Sequence, residues 1–115
     1  MQKLTKSEEE IMQWLWQLER ATVSDILEKM GEPRPPHSTI SSFVRILEKK
    51  EFVGHKAYGK THEYFPLITK EEYSKLNISD LVRDYFDGSV NNLVSFLVKK
   101  EQIDIDELQK MIDKM

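Results

Sequence analysis

The sequence predicts a mostly α-helical chain that carries one small β-hairpin, and three observations lead there. Apolar residues recur at helical spacing in three successive stretches before residue 50. The period then changes to two between Phe52 and Phe65, on either side of a Tyr-Gly pair. After Pro66 helical spacing returns and runs on to residue 115.

Thr5-Lys6-Ser7-Glu8 has the spacing of a capping box, with Thr at the cap and Glu three residues later. Ile11, Trp14, Leu15 and Leu18 follow at i, i+3, i+4 and i+7, so residues 7–18 read as an amphipathic helix. Trp14 and Trp16 read as packing on a helix face rather than as ligand-stacking residues. Thr22 opens a second, shorter helix burying Val23, Ile26, Leu27 and Met30, and Gly31 ends it, being free of the Cβ penalty at a left-handed C′ position. Glu32-Pro33-Arg34-Pro35-Pro36 is a stiff connector whose prolines cannot continue a helix. Ser38 or His37 starts a third helix with Ile40, Phe43, Val44 and Leu47 on its apolar side. Thr39, Ser42, Arg45 and Lys49 lie on the other side.

Residues 52–56 and 61–65 read as two strands of a hairpin. With Tyr58-Gly59 as the turn pair, Phe52 faces Phe65, Val53 faces Tyr64 and His55 faces His62. Pro66 ends the second strand because it offers no ladder N–H.

The C-terminal part has three helix patterns. Thr69…Glu72 starts one carrying Tyr73, Leu76, Leu81, Tyr85 and Phe86, closed by Gly88. Ser89 caps the next, with Val90, Leu93, Val94, Leu97 and Val98 in one stripe. Asp104…Glu107 caps the last, with Ile105, Leu108, Ile112 and Met115. Helices this short cannot bury such stripes among themselves. A second copy of the chain is the simplest cover. The expected dimerisation residues are Tyr85, Val90, Leu93, Val94, Leu97, Val98, Leu108 and Ile112. The expected domains are 1–69 and 70–115. The alternative is that the stripe binds the helix of a different partner.

Charge locates the function. The whole chain has 17 Lys+Arg against 20 Asp+Glu. Between Arg34 and His62, however, stand Arg34, Arg45, Lys49, Lys50, Lys56 and Lys60 against only Glu48 and Glu51, together with His37, His55 and His62. Residues 71–115, by contrast, hold ten acids and six bases. A cationic stretch on one helix and the ribbon after it is the footprint of phosphate binding.

Three helices followed by a hairpin is the order of a winged helix-turn-helix. Its third helix fits the major groove, where Thr39, Ser42 and Arg45 can reach base edges. Lys49 and Lys50 at the helix end, and Lys56 and Lys60 on the wing, suit backbone phosphates. Ser38 and Ser41 complete the expected DNA-binding set.

Other classes are disfavoured. No apolar run approaches the ~20 residues that span a bilayer, and the first residues lack a secretory signal, so a cytoplasmic protein with no membrane contact is expected. With no cysteine, disulfide, thiolate-metal and redox chemistry are excluded. His55 and His62 would make half a metal site at most, and histidines near phosphates are the better reading, so neither metal nor cofactor is expected. No Ser, His or acid sits in a nucleophile-elbow or Gly-rich setting, so an enzyme is not expected.

Three stretches also resemble the penicillinase-repressor and methicillin-resistance repressor family (BlaI/MecI). Leu4-Thr5-Lys6-Ser7-Glu8…Ile11-Met12…Leu15-Trp16 matches that family's opening helix. Thr39-Ile40-Ser41-Ser42…Leu47-Glu48-Lys49-Lys50 matches its recognition helix, and Gly59-Lys60…Tyr64-Phe65-Pro66 its wing. The resemblance implies a sequence-specific transcriptional repressor acting as a homodimer on a palindromic operator. It also implies a signal-activated protease as partner, cutting near Ser95-Phe96-Leu97, although the Asn-Phe pair of β-lactam-responsive relatives is absent. Two further departures are Ile46, where the family usually has Arg, and Glu51, where it favours Gly. The alternative function is a winged-helix protein-interaction module that binds a partner helix through the C-terminal region.

Overall fold

The computed structural model describes residues 3–99 and residue 110. The described elements are α1 (Lys6–Leu18), α2 (Val23–Met30), α3 (His37–Lys49), β1 (Val53–Tyr58), β2 (Thr61–Pro66), α4 (Lys70–Tyr85) and α5 (Val90–Lys99). The chain divides into two compact units, Met1–Lys70 and Glu71–Met115.

In the first unit, local chemistry sets the helix ends. The expected capping box closes α1: the Thr5 N–H donates to Glu8 Oε1 at 2.8 Å and the Glu8 N–H to Thr5 Oγ1 at 3.2 Å. A second box, built from Thr22 and Asp25, opens α2 with bonds of 3.0 and 3.1 Å. Gly31 ends α2 at φ 72° and ψ −169°, a region open essentially to glycine alone. No side chain caps α3; Pro36 stands at its N-cap and accepts from the Thr39 N–H at 3.1 Å.

The end of α3 is a Schellman motif built without glycine. The Phe52 N–H bonds to Leu47 O at 2.9 Å and the Glu51 N–H to Glu48 O at 3.0 Å. Glu51 takes the left-handed position, at φ 68°. Phe52 and Leu47, the pair that such a motif brings into contact, are both fully buried.

The core lies between α1, α2, α3 and the root of the hairpin. Ile11, Met12, Leu15, Ile26, Ile40, Val44, Leu47, Phe52 and Val53 are all essentially out of water. Each contributes about 1.5–3 kcal/mol by burial. Phe43, expected among them, is only half-buried.

The hairpin register corrects the sequence reading. Tyr58 pairs with Thr61, His55 with Tyr64 and Gly54 with Phe65, so the loop is Gly59-Lys60 rather than Tyr58-Gly59. Gly59 has φ +63° while Lys60 does not have positive φ, the pattern of a type II′ turn with Gly first. Phe65 lies against Gly54 so closely that a Cβ there would meet its ring at 3.0 Å. His55 and His62 consequently meet as diagonal neighbours on one face, not as direct partners.

Three long-range ties fix the hairpin and the segment after it to the rest of the unit. Ala21 and Tyr64 exchange both backbone bonds, at 2.9 and 2.8 Å, adding a third strand position. The Trp16 indole donates to Ile68 O at 2.9 Å, and the Leu67 N–H to Phe52 O at 2.8 Å.

In the second unit, α4 ends through Asp87 and Gly88, both at positive φ, with the Gly88 N–H bonded to Val82 O at 2.9 Å. Ser89 caps α5 as expected, its Oγ accepting from the Asn92 N–H at 3.1 Å. Phe96 of α5 packs on Phe86, with ring centroids 5.5 Å apart. Outward from α5 stand Val90, Val94, Leu97 and Val98, 61%, 50%, 42% and 65% exposed. Of the helix expected near residues 104–115 only residue 110 is described, and Leu108 and Ile112 lie outside the described residues. No described helix is long and apolar enough to cross a membrane.

Candidate nucleic-acid interface

Ser38, Ser42, Arg45 and Lys49 fall at i, i+4, i+7 and i+11 of α3 and form one exposed stripe. Thr39 and Ser41 flank it, half-exposed. The Ser42 hydroxyl donates to Ser38 O at 3.0 Å, which occupies its proton and leaves its lone pairs as acceptors. Ser41 Oγ sits 3.3 Å from His37 Nδ1.

The wing adds Lys56 and Lys60, both exposed, with the Lys56 ammonium 5.4 Å from the Tyr58 ring centroid. The ion pairs among the described residues include Arg34–Glu32, Lys50–Glu8 and Arg83 with Asp80 and Asp84, and Glu48 holds His55 Nδ1. None of these engages Arg45, Lys49, Lys56 or Lys60, whose charges are therefore available to an outside anion.

Between the start of α2, the outer face of α3 and the wing lies a polar cleft of about 360 Å³. His37 and Arg45 enter it from α3, and Lys60 and His62 from the wing. Tyr64 lies at its base, 6% exposed, and burial pushes its hydroxyl up, with Glu48 adding to the shift and Arg45 opposing it. His62 stacks on His55, with centroids 4.3 Å apart and planes at 11°, and His55 Nδ1 is in turn held by Glu48. Among the described residues no group of three or more His, Asp or Glu is placed to hold a metal ion.

The family model for the penicillinase repressor matches residues 4–115. The chain belongs to that family. It is therefore a member of a family of DNA-binding transcriptional repressors. Similar proteins include the methicillin resistance regulatory protein MecI of Mammaliicoccus sciuri, 24% identical over 110 residues, which are 95% of this chain and 89% of that one. The MecI protein of Staphylococcus aureus strain N315 matches with the same identity and coverage. Among solved structures, the DNA-binding domain of the repressor BlaI superposes with a TM-score of 0.54 at 22% identity, covering 64% of this chain and 94% of that domain. That likeness carries the fold, a winged helix.

Within this penicillinase-repressor frame, the residues expected at DNA do not all share one surface. Ser38, Thr39, Ser41, Ser42, Arg45 and Lys49 come together on α3, and Lys56 and Lys60 on the wing. Lys50 does not join them. Its ammonium bonds both carboxylate oxygens of Glu8 at 2.9 Å and Lys3 O at 3.2 Å. Glu8 is 2% exposed. Burial alone would push its carboxyl up, but the Thr5 N–H, the Lys50 ammonium and the Thr5 hydroxyl outweigh that and hold it below the ordinary carboxylate value. Sequence reasoning missed this pair because a capping-box Glu is ordinarily solvent-exposed and its partner lies 42 residues away. It noted Ile46 only as a departure from the family's usual Arg, yet that side chain is 42% exposed amid the polar residues of α3. The signal was present: Ile46 is the one α3 aliphatic outside the Ile40, Val44, Leu47 stripe.

Proposed function

We propose that this chain is a cytoplasmic, sequence-specific repressor that binds a two-fold operator as a homodimer. Each protomer would lay α3 in a major groove, with the two helices about 34 Å apart. Arg45, with Thr39 and Ser42, would read base edges, supported by Ser38 and Ser41. Lys49, Lys56 and Lys60 would hold phosphates and set the register. The observation that carries this reading is the α3 stripe Ser38-Ser42-Arg45-Lys49, whose two cations are free of any ion pair among the described residues.

Glu71–Met115 is proposed as the dimerisation region. The exposed Val90, Val94, Leu97 and Val98, with Tyr85 and Leu93, support it. The family membership adds a signal-activated protease as a partner that would end repression. The test is salt dependence: log affinity for duplex DNA should fall with log salt by about 0.9 per phosphate neutralised. A protein with no salt-sensitive affinity for any duplex would sink the proposal.

A further inference from the structure

We propose that the cleft between α2, α3 and the wing is a proton-linked seat for one DNA phosphate, in which His37 and His62 take up charge as the phosphate enters. This rests on the DNA-binding reading above and adds a regulation to it.

The cleft is too small for a base-paired helix, at about 360 Å³, yet it opens beside the α3 stripe where a duplex backbone would pass. Its permanent cation for a phosphate is Lys60 of the wing; Arg45, assigned to base edges above, lines the opposite wall. Its other basic groups are both imidazoles, on exposed residues. Neutral histidine offers one N–H and one acceptor nitrogen; protonated histidine offers two N–H donors. An anion beside an imidazole favours its charged form, so phosphate and proton bind together.

No acid is among the residues that line the cleft. From α3, His37 meets the Ser41 hydroxyl, and Arg45 is the charged neighbour. From the hairpin, His62 meets Lys60, Tyr64 and the stacked His55. From α2 the cleft receives only Thr22, Val23 and Ser24, while the Asp25 carboxylate of that first turn accepts from the Thr22 N–H. Glu48 is committed to His55 Nδ1. The stacked pair thus divides its roles: Glu48 holds His55 Nδ1, whereas the cleft lining beside His62 contains no carboxylate. Because the bound state holds more protons than the free protein, affinity rises as pH falls.

The full chain should be titrated with a mixed-sequence duplex at low, fixed salt, since a phosphate seat acts on every sequence. Wild type should tighten about five- to tenfold between about pH 8 and pH 6, and calorimetry in two buffers of different ionisation heat should register proton uptake. His37→Gln with His62→Gln should bind more weakly than wild type and respond to pH by less than about twofold. His55→Gln should keep the response. A double variant that retains the full response, or a wild type that binds without proton uptake, overturns the proposal and leaves DNA binding intact. A wild type that binds no duplex at any pH overturns the DNA-binding reading itself.

Discussion

Lys50 Nζ lies 2.9 Å from each carboxylate oxygen of Glu8, joining the end of α3 to the first turn of α1. The neighbouring Lys49 is exposed and engages no acid among the described residues. Two adjacent lysines therefore have different work. Lys50→Ala leaves a buried carboxylate without its counter-ion and should cost about 3 kcal/mol in chemical denaturation. Lys49→Ala should stay within about 0.5 kcal/mol and weaken DNA instead. Equal stability losses for the two would refute the division.

The same pair predicts an acid limb. A carboxyl held below its ordinary value adds stability above the unfolded value of about 4.3, and that stability is lost as pH falls through the lower folded value. The stability difference between wild type and Glu8→Gln should be constant near neutrality and shrink below about pH 4.3. A difference that persists unchanged into acid would mean the Glu8 charge contributes nothing.

Glu51 holds a left-handed position at φ 68° without glycine's freedom. That conformation costs an L-residue about 1–2 kcal/mol, against about 0.5–1 kcal/mol for glycine's extra unfolded entropy. Glu51→Gly should accordingly raise stability by about 0.5–1 kcal/mol, seen as a higher denaturation midpoint at unchanged slope. No gain would show that the Glu51 side chain itself stabilises the turn.

Ile46 stands 42% exposed on the α3 surface proposed to face DNA. An aliphatic side chain there suits a thymine methyl. Replacing thymines one at a time by uracil in a selected operator should cost wild type about 1 kcal/mol at one step per half-site. Ile46→Ala should be insensitive to that same replacement. Uracil tolerated everywhere by wild type would remove Ile46 from readout.

Leu97 lies within the exposed apolar stripe of α5. Leu97→Asp would place an unpaired carboxylate in the proposed dimer surface, at a cost of several kcal/mol. The variant should sediment as monomer, bind a half-operator as wild type does, and lose the avidity of the full site. A dimer that survives the substitution would hand the stripe to a different partner helix.

Helix ends were legible because their causes are local: Thr5 and Glu8, or Thr22 and Asp25, stand three residues apart and cap whatever follows. The hairpin was legible as a hairpin but not in register. Gly59 satisfies either the second position of one turn or the first of another, and the choice falls to distant partners, the Ala21–Tyr64 bridge and the Gly54–Phe65 approach. The stripe on α3 followed from spacing alone. Which lysine of the Lys49-Lys50 pair turns inward did not, because it depends on where α1 packs. The cleft was illegible for the same reason, since its walls come from three separated stretches of sequence.

The Ala21–Tyr64 exchange also changes what kind of object the wing is. A free two-stranded ribbon is marginal in water and samples many shapes. Clipped to the α1–α2 loop, this ribbon becomes an arm fastened at its shoulder, and its tip moves with the body of the domain. A duplex meeting such an arm need not first still it, so little ordering entropy opposes docking. Strain applied at Lys60 would then be felt at the start of α2 through two short backbone bonds, making the wing a lever as well as a grip.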